Sequence, residues 1–274
     1  MIEARKLLLG TFGFTIVGLV TAAVFLARPE LDLAIAGCFA DGTNGFPLRQ
    51  HPVAKFFNDL INVMALVMAL ASVIGWSFAS RMRMSVAGLW ARHYAFLLGA
   101  LILGPGLIAN GLFKENWGRA RPRQVTEFGG TADFSPPLVI ADQCSSNCSF
   151  VSGDASMGFY FLALALVTPK RHRPLAILAA LAYGLFIGFI RVLQGAHFFS
   201  DVVFAGVFVG LAILLLYRVM LGAWLPPQGA ATPTLSTRLG LTRGSPVRAP
   251  NGKSKAWLFF RATPEDLGVE KNTE

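Results

Sequence analysis

The sequence predicts an all-α polytopic membrane protein, with six transmembrane helices in a bundle, an active site at the outer face and a disordered C-terminal tail. Composition supports this fold class, because 54% of the 274 residues are hydrophobic and 14% are charged, whereas about 25% of the residues of a soluble domain are charged. Several apolar stretches also reach the ~20 residues that a helix needs to cross a bilayer.

Six stretches are predicted to span the membrane, at residues 7–27, 56–78, 90–112, 151–168, 175–195 and 200–220. The first is longer than the roughly 7–15 apolar residues of a signal-peptide core and has no clear small-residue cleavage site after it, so we predict a retained helix. Residues 1–221 would form the membrane domain. Residues 222–274 are rich in Pro, Gly, Ser, Thr and Arg, which predicts a basic, disordered cytoplasmic tail.

The basic residues predict the orientation of the chain. If all six spans cross, one side of the membrane carries Arg5, Lys6, Arg81, Arg83, Arg92, Lys170, Arg171, Arg173 and Arg218. That side is predicted to be cytoplasmic and to hold both termini. The net charge of +9 does not indicate nucleic-acid binding, because the basic residues lie mostly at the ends of spans and in the tail.

The cysteines Cys38, Cys144 and Cys148 all fall on the predicted outer side, where disulfides persist in an oxidising compartment. Cys144 is close enough in sequence to pair with Cys148, but pairing with Cys38 stays open. The C-x3-C spacing lacks a second pair of ligands or a nearby histidine, so we predict no metal site.

The first stretch that indicates a chemical function is KENWGRARP, residues 114–122. Lys114 and Arg121 are seven residues apart, which would place both on one face of a helix that Pro122 ends. Two cations on one face favour an anionic ligand. The alternative is that both side chains extend to the membrane surface as interfacial basic residues commonly do.

The second stretch is SFVSGDAS, residues 149–156, which leads into the fourth predicted span. Ser152 and Gly153 would lie at a helix N-terminus, where unpaired N–H groups and the helix dipole attract anions. Simple N-capping by Ser152 is the alternative.

The third stretch is RVLQGAHFFSD, residues 191–201, at the junction of the last two predicted spans. His197 and Asp201 are one helical turn apart, so the carboxylate is expected to accept a hydrogen bond from one ring nitrogen and leave the other as a nucleophile. Arg191 adds a guanidinium suited to an oxyanion. Ionisable groups beside hydrocarbon are costly, which indicates a function.

In chain order these stretches read K-x6-RP, S-G-x and R-x5-H-x3-D. This order resembles the three-part signature of the type 2 phosphatidic acid phosphatase (PAP2) superfamily, integral-membrane lipid phosphatases related to vanadium haloperoxidases. The resemblance covers residues 114–201 by motif and about 7–220 by helix layout, and the first and third motifs are specific.

The resemblance implies a role for each residue. His197 would attack phosphorus to form a phosphohistidine, and Asp201 would hold its ring. The phosphate oxygens would be bound by Lys114, Arg121, Ser152, the Gly153 amide and Arg191. No metal or other cofactor would be required.

Two positions depart from the family pattern. Ile190 stands where members usually have serine, which removes one expected hydrogen bond to phosphate. Asp154 replaces the histidine that normally protonates the leaving group. Our hypothesis is that Asp154 takes over as the acid, because partial burial raises the pKa of a carboxyl group, although nearby cations act in the opposite direction.

The resemblance implies a phosphatase acting on an anionic lipid at the periplasmic face of a bacterial inner membrane. Candidate substrates are a lipid A phosphate, undecaprenyl diphosphate and phosphatidylglycerophosphate. Arg119, Arg123 and the loop at residues 123–150 are placed to select the headgroup. The expected partners are therefore the lipid substrate and the bilayer, with the oligomeric state left open.

Two other functions use some of the same residues. A non-catalytic carrier of anionic lipids would need the cations but gives no reason for His197 near Asp201, and transport sites lie nearer the middle of the membrane. Haloperoxidase chemistry is found in soluble relatives of the family, which six helices of membrane length argue against.

Overall fold

The computed structural model describes residues 2–42 and 45–222. These residues form the helices α1 (Ile2–Ala27), α2 (Glu30–Gly37), α3 (Pro52–Met82), α4 (Ala91–Leu101), α5 (Lys114–Asn116), α6 (Gly153–Val167), α7 (Arg173–Leu193) and α8 (Phe199–Met220). A π-helical stretch, Ile102–Phe113, joins α4 to α5. The predicted all-α class is confirmed, since the described residues contain isolated β-bridges but no strand. The predicted tail lies outside the described residues, apart from Gly222.

Five helices in the described ranges are long and apolar enough to cross a membrane, namely Leu7–Ala27, Pro52–Met82, Ala91–Asn116, Arg173–Leu193 and Phe199–Met220. They coincide with five of the six predicted spans. The remaining one, predicted at 151–168, is the 15-residue helix α6. At 1.5 Å per residue it is about 22 Å long, which is shorter than the ~30 Å hydrocarbon core.

The short length of α6 has a local cause at each end. Ser152 is the N-cap, and its Oγ accepts a hydrogen bond from the Ala155 N–H at 3.4 Å. Thr168 is extended, with ψ at 149°, because Pro169 disfavours the helical conformation of the residue before it. The predicted count of six full-length spans is therefore not confirmed.

Helix α6 is the most enclosed helix of the bundle and packs closely against α7. A Cβ atom at Gly158 would lie 2.8 Å from the Cα of Gly184, so glycine is what allows the two backbones to approach. Large apolar side chains of α1 and α3, such as Phe12 and Leu66, are exposed at 65% and 60%. Such exposed faces are typical of helices that contact lipid chains.

The π-helical stretch contains Pro105, which has no N–H to donate to the preceding turn. The Asn110 side chain donates a hydrogen bond to the carbonyl of Pro105, five residues earlier, at 2.7 Å. π-Helical insertions often occur near functional sites. The stretch ends at Phe113, directly before Lys114.

Candidate active site

The three stretches identified from the sequence meet at one end of the bundle. Lys114 lies at the end of the α4–α5 helix, Gly153 begins α6, and His197 lies between α7 and α8. A Cβ atom at Gly153 would lie 2.7 Å from Lys114 Nζ. The carbonyl of Ser149, just before α6, contacts the His197 ring at 2.7 Å from Nδ1. Residues far apart in the sequence therefore surround one imidazole.

His197 is fully buried, and the hydrogen bond from its ring determines the tautomer. A carbonyl oxygen only accepts, so Nδ1 carries the hydrogen that is donated to Ser149. Nε2 is then left with its lone pair, and this buried atom has no hydrogen-bond partner in the described part of the chain. An unprotonated, unpaired imidazole nitrogen is suited to nucleophilic attack.

The surroundings keep this nitrogen unprotonated. The pKa of His197 is lowered to about 4, chiefly by burial and then by the cations Lys114, Arg121 and Arg191, although Asp201 raises it. The same three cations would attract a phosphate group. The His197 ring and these cations therefore share one electrostatic environment.

Asp201 lies beside the His197 ring, but not at the hydrogen-bond distance that was predicted. Its Oδ2 lies 3.9 Å from Nδ1 and instead accepts hydrogen bonds from the Ser149 hydroxyl at 2.6 Å and the Phe198 N–H at 2.9 Å. The prediction assumed one continuous helix, but α8 begins at Phe199, so His197 precedes it. Asp201 holds the ring indirectly, since Ser149 contacts both side chains.

Arg119 is also fully buried and binds the other oxygen of Asp201. Its guanidinium donates to Asp201 Oδ1 at 2.5 Å and to Asp32 Oδ2 at 2.9 Å. The ring of Phe198 lies under it, 4.3 Å from the guanidinium carbon. The prediction that Arg119 binds a headgroup does not agree with this position, because the side chain is inside the protein and its donors are used there.

Asp32, on α2, was missed by sequence reasoning. It is fully buried, and its Oδ1 accepts the Ser200 N–H at 3.0 Å, while the Ser200 hydroxyl donates to Oδ2. Burial raises the pKa of Asp32, Arg119 lowers it, and Asp201 raises it. An acidic residue in the apolar segment ELDLAIAG was the available signal. We call Asp32, Arg119, Ser149, Ser200 and Asp201 the buried anchor.

Arg121 approaches the site from a loop and not from the helix that was predicted to carry it. The helix ends at Asn116, and Arg121 is extended, with ψ at 155°. Its guanidinium donates to the carbonyl and the side-chain oxygen of Asn147, at 2.7 and 2.8 Å. The shared helical face predicted for Lys114 and Arg121 is therefore wrong, although both side chains act on His197.

Arg191, in the last turn of α7, forms an ion pair with Asp154. Nε of Arg191 lies 2.8 Å from Oδ2 of Asp154, and the two side chains are 15% and 20% exposed. A second guanidinium nitrogen donates to Gln194 at 2.7 Å. Asp154 therefore lies beside the cations that are predicted to bind phosphate, but with a partner that the sequence did not indicate.

Ser152 occupies the N-cap position that was the alternative interpretation of its motif. Its hydroxyl oxygen accepts from Ala155, and its backbone N–H donates to the Asp201 carbonyl at 3.2 Å. The hydroxyl hydrogen is not used in the cap, so a hydrogen bond to phosphate remains compatible with it.

Arg123 is half-buried and faces an open cleft. The cleft has a volume of about 300 Å³ and is lined by Arg49, Gln50, Lys55, Asn58, Arg123, Arg191 and Gln194. The pKa of Arg123 is lowered to about 10, mostly by burial and in part by Arg121, Arg49 and Arg191. Its backbone N–H donates to Gly195 at 3.1 Å. The cleft thus adjoins the cations around His197 through Arg191.

The loop between α5 and α6 is closed by a disulfide between Cys144 and Cys148, with a Cα–Cα distance of 5.7 Å. This answers the pairing question that the sequence left open, and Cys38 is free. Within residues 2–42 and 45–222, no group of three or more His, Cys, Asp or Glu side chains is arranged to hold a metal ion.

Comparison with known proteins agrees with the geometry. The PAP2 superfamily matches residues 93–225. The chain is 38% identical over 205 residues to a lipid A 4'-phosphatase of Francisella tularensis subsp. novicida, which covers 72% of this chain and 89% of that protein. A lipid A 4'-phosphatase of Rhizobium etli is 33% identical over 195 residues, covering 66% and 75%.

A lipid A 1-phosphatase of Rhizobium etli is 31% identical over 160 residues, which cover 57% of this chain and 64% of that protein. No solved structure matches the chain.

Proposed function

This chain belongs to the PAP2 superfamily and is a phosphatase, and from that premise we propose that it removes a phosphate from lipid A through a phosphohistidine formed on His197. It is a bacterial multi-pass membrane protein. The observation that carries the proposed mechanism is the His197 ring, whose Nδ1 is engaged by a carbonyl while Nε2 has no hydrogen-bond partner among residues 2–42 and 45–222.

In the proposed first step, Nε2 of His197 attacks phosphorus and the bond to the lipid oxygen breaks. Lys114, Arg121 and Arg191 stabilise the charge on the phosphate oxygens, since each acts electrostatically on the His197 ring. Water then attacks the phosphohistidine, which releases phosphate and restores the imidazole. The buried anchor keeps the ring in place through Ser149 during both steps.

Asp154 is the proposed proton donor to the leaving lipid oxygen: its carboxylate takes up a proton from water before the first step, gives it to that oxygen, and accepts one from the attacking water in the second step. Its carboxylate is paired with Arg191 and acts on both Lys114 and Arg121, so it lies at the phosphate-binding cations. A sugar hydroxyl is a poor leaving group without a proton, which gives an acid at this position a defined task.

The relatives support lipid A as the substrate. The two relatives with the higher identities quoted above are named for the 4'-phosphate, at 38% and 33%, and a relative named for the 1-phosphate is 31% identical. We therefore propose the 4'-phosphate as the group removed. The exposed apolar faces of α1 and α3 suit a substrate whose acyl chains stay in the bilayer.

The periplasmic orientation of the site remains part of the proposal. The site lies at the end of the bundle where α5 and α7 finish and α6 and α8 begin. The predicted cytoplasmic residues Arg81, Arg173 and Arg218 lie at the opposite ends of α3, α7 and α8. The positive-inside rule then supports an outward-facing site.

The test is phosphate release from detergent-solubilised lipid A by the wild type and by His197→Ala. We expect a loss of at least ~10³-fold, as for other removed nucleophiles, together with loss of the alkali-stable phosphohistidine that rapid quenching would trap in the wild type. His172→Ala is the matched control, because His172 is exposed and the hydrogen bond described for its side chain comes from neighbouring Arg171.

Phosphate release that survives in His197→Ala would refute the proposed mechanism. Lipid binding or movement by the wild type without phosphate release would favour the carrier function over hydrolysis.

A further inference from the structure

The cleft beside the active site contains more positive charge than one phosphate requires. Four of its seven lining residues are cations, Arg49, Lys55, Arg123 and Arg191, and none is Asp or Glu. Arg49 and Lys55 come from the segment that begins α3, which none of the three motifs includes. Arg49 and Lys55 therefore lie outside the motifs in the sequence, although they line the same cleft as the motif residue Arg191.

The floor of the cleft is held by a buried polar side chain. Gln194 is 3% exposed, and its oxygen accepts hydrogen bonds from Arg191 at 2.7 Å and from Asn58 at 3.0 Å. Its nitrogen donates to the Arg49 carbonyl at 3.4 Å. These bonds join α3 and the loop before it to the end of α7. The cations thus lie around an organised floor.

A count of charges assigns the cations to two groups. Near His197, the cations Lys114, Arg121 and Arg191 are opposed by Asp154, so their sum is about +2. That matches a phosphate monoester, which carries about −1.5 to −2 at neutral pH. Arg49, Lys55 and Arg123 remain, with no acid among the residues that line the cleft with them.

We propose that the cleft is a second anion subsite, in which Arg49, Lys55 and Arg123 bind a second phosphate of the same lipid headgroup while His197 attacks the first. This inference rests on the proposed function, because it specifies the substrate as a lipid that bears two phosphates. Arginine and lysine bind phosphate oxygens through charge-assisted hydrogen bonds, and the planar guanidinium can do so in a bidentate manner.

The test measures binding in the absence of turnover. His197→Ala protein in phosphatidylcholine nanodiscs is titrated with bisphosphoryl lipid A and with monophosphoryl lipid A that keeps the 4'-phosphate. We expect the bisphosphoryl lipid to bind about tenfold more tightly, and Arg49→Gln with Lys55→Gln in the same background to reduce the ratio to about twofold or less.

Arg81→Gln is the matched control, because it removes one charge from an exposed position at the other end of α3. Arg81 is 26 residues from Lys55, or about 39 Å along a helix. The affinity ratio should not change in this variant. A ratio near one in the His197→Ala protein, or a ratio that the Arg49 and Lys55 substitutions leave unchanged, would overturn the proposal.

A separate anion offers the same chemistry, so a second arm distinguishes the source. Inorganic phosphate or phosphatidylglycerol is added to the monophosphoryl titration. An increase in affinity that depends on Arg49 and Lys55 would identify a separate ion or lipid as the occupant and overturn the assignment to the substrate. The binding measurements use His197→Ala, which is expected not to hydrolyse the lipid. A wild type that releases no phosphate from lipid A would therefore refute the proposed function but not the second anion subsite.

Discussion

Arg119 and Arg123 lie four residues apart on one loop, yet they belong to different regions of the molecule. Arg119 is fully buried in the anchor, with Asp32 and Asp201 at 2.9 and 2.5 Å. Arg123 is half-buried in a cleft with other cations and no acidic lining residue. One arginine is neutralised and structural, and the other is uncompensated and available to a ligand.

This difference teaches how the site divides its tasks. The buried anchor holds the ring of His197, the proposed nucleophile, because Asp201 and that ring both contact Ser149. The cationic cleft and the cations around His197 are left to meet an anion. A charge with protein partners on all sides cannot serve a substrate without losing them, whereas exposed cations contribute little until an anion arrives.

The largest expected effect follows from breaking the buried anchor. Arg119→Ala would leave Asp32 and Asp201 without their shared cation, which costs about 3–5 kcal/mol of stability. Thermal unfolding in detergent, followed by tryptophan fluorescence, should show a much lower midpoint and activity should be lost. Arg123→Gln should change the free energy of unfolding by no more than about 0.5 kcal/mol.

Arg119→Lys separates charge from geometry, since lysine keeps the charge but not the planar group that reaches both carboxylates. We expect it to remain clearly less stable than the wild type. Equal stability of the Arg119→Ala and Arg123→Gln proteins would remove the distinction between the two regions.

A smaller effect is expected at Asp154, the acidic residue among the cations that are proposed to bind phosphate. Asp154→Asn should lower kcat by about 10²-fold, since general acid catalysis contributes typically 10²–10⁴-fold. Asp154→His should recover part of the rate, because imidazole also donates a proton. The pH dependence of kcat in all three proteins is the measurement. A wild-type rate in Asp154→Asn would eliminate the proton-donor role and leave the ion pair with Arg191 as the function of this residue.

The smallest effect is expected on the protonation of His197, on which both regions act. Its pKa is lowered to about 4 by burial and by the cations, against Asp201. In ¹⁵N-histidine spectra, the signal of His197 is the one that is absent from His197→Gln. In the wild type, we expect this signal to report a neutral ring from pH 8 to about 5. The folded state binds this proton more weakly than the unfolded chain, whose histidine pKa is about 6.5. Stability from this group is therefore complete above pH ~6.5 and is lost as pH falls towards 4.

A protonation midpoint near 6.5 would mean that the ring is hydrated and that the cations do not act on it. Such a result would contradict the buried, unprotonated nucleophile.

Five of the six predicted spans were available from the sequence, because length and apolar composition decide whether a helix crosses lipid. Local residue preferences also set the ends of α6, which begins after its N-cap Ser152 and ends before Pro169. The motif spacing identified Lys114, Arg191 and His197, which do lie at one end of the bundle. These features depend on neighbours in the chain, and a sequence contains that information.

Tertiary structure alone decided which charged groups meet. Asp201 accepts hydrogen bonds from Arg119 and Ser149 and not from His197. The His197 ring instead contacts the backbone carbonyl of Ser149, which a pattern of side chains in the sequence cannot predict. Asp32, 169 residues before Asp201, joins the same arginine. Arg119 and Arg123 differ in role although they share one residue type, because burial and partners depend on distant helices. The electrostatic free energy depends on the distances between charges and on their desolvation in three dimensions, and the order of the residues gives neither quantity.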